Sequence, residues 1–557
     1  GRRRVANQSR IRRGNSTLAD ALFDVPEDDE AVGKITMSTD VSHQTATVPA
    51  PPLCDRIWSW LVYDDRDDWK WLDDLPSEQE LGRVPADIFR GLPVGRMLGQ
   101  GPSLMENSRT NCTYELSEPV EPSEKLDVFM SHTWTSDRFL KYVAILYHFN
   151  GHFSHVAAHF AALATFLVLL TVKVFTPWGV YMPVFHLPFP GNPTEYPEGM
   201  PLCGPVFFVG CVTQITTFAF GHVLFKTRSV YQQMIFLDKC CIHQTDPELK
   251  RRGIDYMGNF VTQSKTMFIP FDNDYFERLW CNYELAAFLR HKKSEVVDSL
   301  NFMPIQVAVF VTIHIVLCFV GITGFLVMLA INDFIYKFWY PQSWLEYFAI
   351  WGTGGTLIFG VPKFVFCHIS MQGRQILDQK LASFTTRDAK VGFAADRQPI
   401  EERIQCWFGT IEAFDQLVQK IFPEIVTRSI GTPRQSLRYA DLLQENAGVL
   451  FLFVYDAVLM ALGDPRKIMR CLVIGLSEHF ILDPIYFYSL NALAFAALKL
   501  PYGNTTNHGI RGASVFLLGL VYPVYFSFCI CCPVWLLIVS AVVLGIVGAI
   551  IPYFFER

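Results

Sequence analysis

The sequence predicts a multi-pass α-helical membrane protein carrying a cytosolic α/β domain with a parallel sheet, the domain interrupted by a transmembrane hairpin. Three observations predict it. Across residues 230–290 two short apolar runs alternate with two helical patterns, the strand–helix–strand–helix order of a parallel sheet. Several mostly apolar stretches run for about 20 residues, the length a bilayer core demands. Lys and Arg gather on the side of those stretches that also holds the α/β part, which makes that side cytosolic.

Composition agrees. Hydrophobic residues make up 51% of the 557 and aromatics 14%, with positive mean hydropathy, too apolar for an ordinary soluble protein. The net charge of −6 leaves no footprint for nucleic acid. Most of the 14 cysteines lie in apolar stretches or in the α/β part, a pattern of reduced thiols rather than a secreted disulfide framework.

Residues 1–52 are Arg-rich, then Ser/Thr-rich, then acidic at Glu27, Asp28, Asp29 and Glu30, and read as a disordered tail. The chain opens on Gly1, and its Arg clusters leave a targeting segment open. Residues 53–125 hold Trp58, Trp60, Trp69 and Trp71 among aspartates, then prolines and glycines. They predict a short amphipathic helix near 53–72 followed by irregular cytosolic chain, its tryptophans either at a membrane interface or packed on the α/β domain.

Residues 126–150 form the first part of the α/β domain, with a strand at 126–131 and a helix at 138–149. Residues 151–229 form the hairpin, with spans at 156–175 and 206–225. The loop between the spans is rich in proline and carries no Lys or Arg, whereas Lys226, Arg228, Lys239, Lys250, Arg251 and Arg252 follow. The second part of the domain, 230–304, has a strand at 234–237 ending on Asp238, a helical pattern at 248–263, a strand at 266–271 and a helix at 274–290.

A second pair of spans, 305–331 and 345–366, fills 305–367. Residues 368–445 are a cytosolic helical segment whose stripe of Ile400, Ile404, Trp407, Phe408, Ile411, Phe414, Leu417, Val418 and Ile421 predicts docking on the α/β domain or on the membrane surface. Residues 446–557 are a C-terminal membrane region, for about seven spans in all and six to eight as the range. Cys529, Cys531 and Cys532 fall at a cytosolic turn there, packed or palmitoylated.

Four short motifs share one resemblance. Asp127-Val-Phe-Met-Ser-His132 reads as a first strand, Phe236-Leu-Asp238 as a second running into a long loop, Ser264 precedes the third, and Trp280-Cys281-x-x-Glu284 follows it. Together they resemble the TIR (Toll/interleukin-receptor-like) domain over 126–148 and 230–304, under a quarter of the chain. The chain departs from the family in two ways: about a hundred mostly apolar residues separate the first two strands, and no clear fifth strand follows 300–304. The resemblance implies a flavodoxin-like domain that self-associates or meets other TIR-like domains, beside the lipid bilayer that the apolar spans require.

It also implies a catalytic role for Glu284, the position that cleaves NAD to nicotinamide in TIR enzymes, with NAD as substrate and no resident cofactor. Breaking an N-glycosidic bond builds positive charge on the ribose, which a nearby carboxylate stabilises. Trp280 and Glu284 stand four apart on a helix and share a face. The nucleotide-contacting set is His132, Trp134, Asp238 and Trp280, with Asp137 beside the first strand. Lys239, His243, Gln244, Lys250, Arg251 and Arg252 belong to the long loop and its helix, for assembly, for a pyrophosphate, or as solvated surface.

Other chemistries fare worse. Cys240, Cys241, His243 and Cys281 lack the spacing of a zinc site, and no Walker A, GxGxxG, HExxH or EF-hand pattern occurs. Asp456, Glu478, His479 and Asp483 are ionisable groups at membrane depth. They support the alternative to a membrane-localised signalling or assembly protein, a transporter or channel controlled by the cytosolic domain; a structural scaffold is the third possibility.

Overall fold

The computed structural model describes residues 82–106, 113–175, 185–187, 200–202, 204–313, 315–316, 319–320 and 361–430. Its centre is a six-stranded sheet of Arg90–Pro93 (β1), Glu118–Pro119 (β2), Leu126–Met130 (β3), Met234–Phe236 (β4), Ser264–Phe271 (β5) and Leu300–Pro304 (β6). Across the sheet the order is β2-β1-β4-β3-β5-β6. β4, β3, β5 and β6 run parallel, with Val128 opposite both Ile235 and Thr266. Their side chains show why. Val128, Phe129 and Met130 on β3 and Met267, Phe268 and Ile269 on β5 are all buried, the continuous apolar run of a strand covered on both faces. Phe129 stacks on Phe236 at 4.8 Å between ring centroids, and Phe260 meets Phe236 from the neighbouring helix at 4.5 Å.

The sheet is mixed, not purely parallel. β1 pairs antiparallel with β4, and β2 with β1. Both come from the stretch read as irregular in the sequence. A four-residue strand containing Gly91 and Pro93, and a two-residue strand, are too short to show any alternation. Gly91 is needed for the close approach, since a Cβ there would stand 2.8 Å from Leu126 Cδ2 and 3.0 Å from Met234 Cβ. A short helix, Val94–Gly99, then buries Val94, Met97 and Leu98 against the same core.

The first long helix, Arg138–Phe175 (α1), runs 38 residues without a break, so the predicted domain helix and the first predicted span are one rod. Asp137 Oδ1 caps it by accepting from the amides of Phe139 and Leu140. Its opening turns belong to the domain: Ile145 and Phe149 are buried in the sheet core and the His148 ring stacks on Phe268 at 4.0 Å. Further on, Gly204–Leu224 (α2) packs along it, joined by Asn150 donating to the Phe218 carbonyl and by His155 Nδ1 beside Gln214 Nε2 at 3.0 Å. Phe160, Val168 and Phe220 point outward and are more than half exposed. Among the described residues one helical stretch, Arg138–Val168, is long and apolar enough to cross a membrane, and Phe208–Leu224 is a shorter apolar helix. The predicted Pro-rich loop contains a small antiparallel pair, Phe185–Leu187 with Met200–Leu202.

Pro247–Asp255 (α3) and Met257–Thr262 (α4) lead into β5, and Leu279–Lys292 (α5) into β6. Asp246 caps α3, accepting from the amides of Glu248 and Leu249. Val361–Ala382 (α6), Ala394–Phe408 (α7) and Ile411–Ile430 (α8) complete the described chain. The stripe of Ile400, Ile404, Trp407, Phe414, Leu417, Val418 and Ile421 is buried in one core with the sheet. The stripe thus packs on the α/β domain, one of the two docking surfaces predicted for it. The later spans are described only in part, and residues 1–81 and 431–557 lie outside the described residues, with Trp58 to Trp71, Asp456, Glu478, His479, Asp483 and Cys529 to Cys532.

Candidate functional site

In chain order the four parallel strands lie second, first, third, fourth, so the winding reverses between β3 and β5. Outside the carboxyl ends of strands at such a reversal an open α/β sheet forms its crevice. Ser131 follows β3, Asp238 follows β4, and Asp272 follows β5.

Glu284 reaches this crevice from the second turn of α5. Ser131 Oγ donates to Glu284 Oε2 at 2.5 Å and lies 2.8 Å from the Tyr275 hydroxyl. Glu284 is half-buried. Desolvation, with a smaller push from the negative charge of Asp238, drives its carboxyl up to about 8, against the opposing pull of the Ser131 hydrogen bond. At neutral pH the carboxyl is therefore protonated. Burial also raises Asp238, opposed by the donors it accepts from: Trp134 Nε1 to Oδ2 at 3.0 Å and the Lys239 amide to Oδ1 at 2.7 Å.

The loop after β3 closes the cluster. His132 is buried, and desolvation together with the charge of Lys141 holds its imidazole well below the usual range, so it is neutral. Its Nε2 meets no hydrogen-bond partner, and its ring stands edge-on to Trp134 at 4.5 Å. Thr133 Oγ1 donates to Asp272 Oδ2 at 2.7 Å. The ammonium groups of Lys141 and Lys239 lie 5.5 and 5.7 Å from the centroid of the Trp134 ring. Trp134 is thus pinned by a carboxylate at its N–H and by two cations at its ring.

The structure brings Glu284, Asp238, Trp134 and His132 together. It does not bring Trp280 to them. Trp280 Nε1 donates to Asp396 Oδ2 on α7 at 3.1 Å, and its ring meets Tyr283 edge-on at 5.7 Å. Helical spacing gave Trp280 and Glu284 a shared face, but the long indole leans onto the downstream helix. Asp137 is taken by the α1 cap. Arg251 pairs with Glu248 and Asp255 on its own helix, and Arg252 with Asp87, the solvated-surface role.

Sequence reasoning missed Lys141 and Tyr275, and reached Asp272 only as part of the turn at Phe271–Asp274 that ends the third parallel strand. Lys141 is wholly buried and its Nζ donates to the Thr133 carbonyl. Burial draws its ammonium down to about 8, with Asp272 and Asp238 resisting. Lys141 shares the first turn and face of the helix with Arg138, so nothing in the sequence sets it apart. Tyr275 falls in the predicted helix at 274–290, and in the structure a short 3-10 turn, Tyr275–Glu277, precedes α5 and turns its hydroxyl to Ser131. Burial pushes the Cys281 thiol far up and Cys240 to about 12, which disfavours their thiolate forms. Among the described residues no group of three or more His, Cys, Asp or Glu is placed to hold a metal ion.

No protein-family model, no curated protein and no solved structure matches the chain. The chemistry open to the cluster is that of a carboxyl poised near neutral pH beside a second carboxyl, a neutral imidazole and an aromatic ring.

Proposed function

We propose that this is a membrane-localised TIR-like protein whose strand-end site binds a pyridine dinucleotide and hydrolyses its N-glycosidic bond, releasing nicotinamide, in a signalling or assembly role. The observation that carries the proposal is the Glu284 carboxyl, held by Ser131 beside Asp238 at the winding reversal of a flavodoxin-like strand order. A nicotinamide ring bound to ribose is cationic. Brought next to a carboxyl that titrates near 8, it favours the ionised form, so binding releases a proton and sets a carboxylate against the ribose. As the glycosidic bond breaks, its electron pair neutralises the ring nitrogen, and water adds to the ribose carbon with loss of a proton. Carboxylate stabilisation of the ribosyl cation is the catalytic contribution of Glu284.

The bilayer as partner is supported by α1, which leaves the sheet core as one rod and presents Phe160, Leu167 and Val168 outward. Multi-pass insertion, a cytosolic domain, and association with itself or with other TIR-like domains belong to the same proposal. Nicotinamide release from NAD by the detergent-purified full-length chain, compared with Glu284→Gln, tests it. Loss of about 100-fold or more in the variant is the expected result; equal turnover in the two proteins removes Glu284 from the chemistry.

A further inference from the structure

The helix that carries Glu284 does not cap itself. Arg278 occupies the N-cap of α5 and makes no side-chain hydrogen bond to the first turn. An uncapped helix start leaves amides without partners. The partner for the first one comes from far along the chain. The Leu279 amide donates to the Lys390 carbonyl at 3.0 Å, and the Lys390 amide donates to the Glu277 carbonyl at 2.6 Å. These two bonds form a parallel bridge between Arg278 and Lys390.

Side chains fasten the same junction. Glu277 takes Lys380 Nζ at 2.6 Å and Lys390 Nζ at 2.8 Å, the latter from 113 positions away, and Lys380 Nζ also donates to the Asn273 carbonyl. The residues leading into Lys390 are themselves held. The Thr386 amide and hydroxyl both donate to buried Asp415 on α8, while Arg397 on α7 donates to the carbonyls of Arg387 and Ala389. Further along α5, Trp280 bonds Asp396, and Tyr283 accepts from Arg403 and stacks on Trp407.

We infer that residues 386–393 form a strap that completes the N-terminus of α5 and so positions Glu284 against Ser131. The aromatic and apolar contacts of α7 with α5 supply the adhesion. The ion pairs at Glu277 are partly exposed and add little stability, so their effect is on the placement of the first turn. The strap lies between α6 and α7, and the membrane span predicted at 345–366 runs into the first turns of α6. Displacement of that span relative to the domain would therefore reach Glu284 through Lys380 and Lys390. Glu277, Lys380 and Lys390 are positioning residues; none contacts Ser131 or Asp238 in the cluster. The consequence for turnover rests on the nicotinamide reading, whereas the strap itself does not.

Amide hydrogen exchange on the full-length chain in detergent tests the strap, with Glu277→Gln and the charge swap Glu277→Lys with Lys380→Glu and Lys390→Glu. In Glu277→Gln the amides of Leu279, Trp280 and Cys281 exchange about three- to tenfold faster, those of β3 and β5 keep the wild-type rate, and the swap restores protection. Asp415→Ala, which removes the acceptor at the Thr386 end of the strap without touching α5, gives the same local increase and serves where Glu277→Gln folds poorly. Unchanged exchange at α5 in both variants overturns the strap. In an active wild type, kcat for nicotinamide release falls in proportion to the loss of protection while KM holds. Faster exchange with unchanged kcat would also overturn the positioning role. Exchange decides the strap even where the wild type releases no nicotinamide, a result that counts against the nicotinamide reading alone.

Discussion

Ser131 Oγ donates to Glu284 Oε2 across 2.5 Å, joining residues 153 positions apart and the end of the central strand to the helix that follows the third. The bond opposes the desolvation that lifts the Glu284 carboxyl to about 8. Ser131→Ala removes that opposition, so the carboxyl titrates still higher. The alkaline shift is measurable in the pH profile of nicotinamide release or by carboxyl infrared titration. An unshifted titration would mean the hydrogen bond does not tune the group.

Glu284 also makes stability depend on pH. Its folded value of about 8 lies above its ordinary value of 4.5, so the folded chain binds the extra proton between them. The stabilising contribution is whole below about 4.5 and is lost as pH rises through about 8. Glu284→Gln, which cannot ionise, should match wild type at pH near 4.5 and melt at a higher temperature than wild type near pH 9. Lys141 runs the other way, because its folded value of about 8 lies below 10.5 and its burial penalty is relieved as pH rises between them. Thermal melts across pH on both single variants separate the two.

Lys141 holds His132 down by charge and Trp134 in place by proximity. Lys141→Met removes the charge at nearly constant volume. The His132 imidazole should then titrate closer to its usual range, read by nuclear magnetic resonance of the ring, while the Thr133 carbonyl loses its donor. A His132 titration identical to wild type would show that Lys141 is electrostatically silent there.

The two tryptophans should behave differently. Trp280 bonds Asp396 away from the cluster, so Trp280→Phe costs about 1 kcal/mol of stability and leaves KM for the dinucleotide unchanged. Trp134 lies inside the cluster, and Trp134→Phe raises KM by loosening the loop after β3. Melting midpoints and KM values on the two variants check this; a KM effect confined to Trp280→Phe would reverse the assignment.

Much of this arrangement was legible in the sequence, because long-range motifs carry their own local signals. The apolar runs at β3 and β5 placed two of the parallel strands, and the helical pattern after β5 placed Glu284 on a helix. What was hidden has physical reasons. β1 and β2 are too short for periodicity, and Gly91 and Pro93 read as turn residues although close packing against Leu126 demands the glycine. Lys141 looked like an ordinary first-turn cation; its partners, the Thr133 carbonyl and the Trp134 ring, lie on the loop after β3. The cap of α5 is supplied by a backbone carbonyl of Lys390, and a carbonyl has no residue identity to read. Trp280 turned away because its partner, Asp396, lies 116 positions later.

Turnover of NAD by the purified full-length chain, followed as nicotinamide released and compared between wild type and Glu284→Ala with matched melting profiles, bears most directly on the central claim. Release by the wild type and its loss by about 100-fold or more in the folded variant is the predicted result. Equal release by both, or none from the wild type at high concentration and in assembled form, would contradict it and leave Glu284 a structural carboxyl.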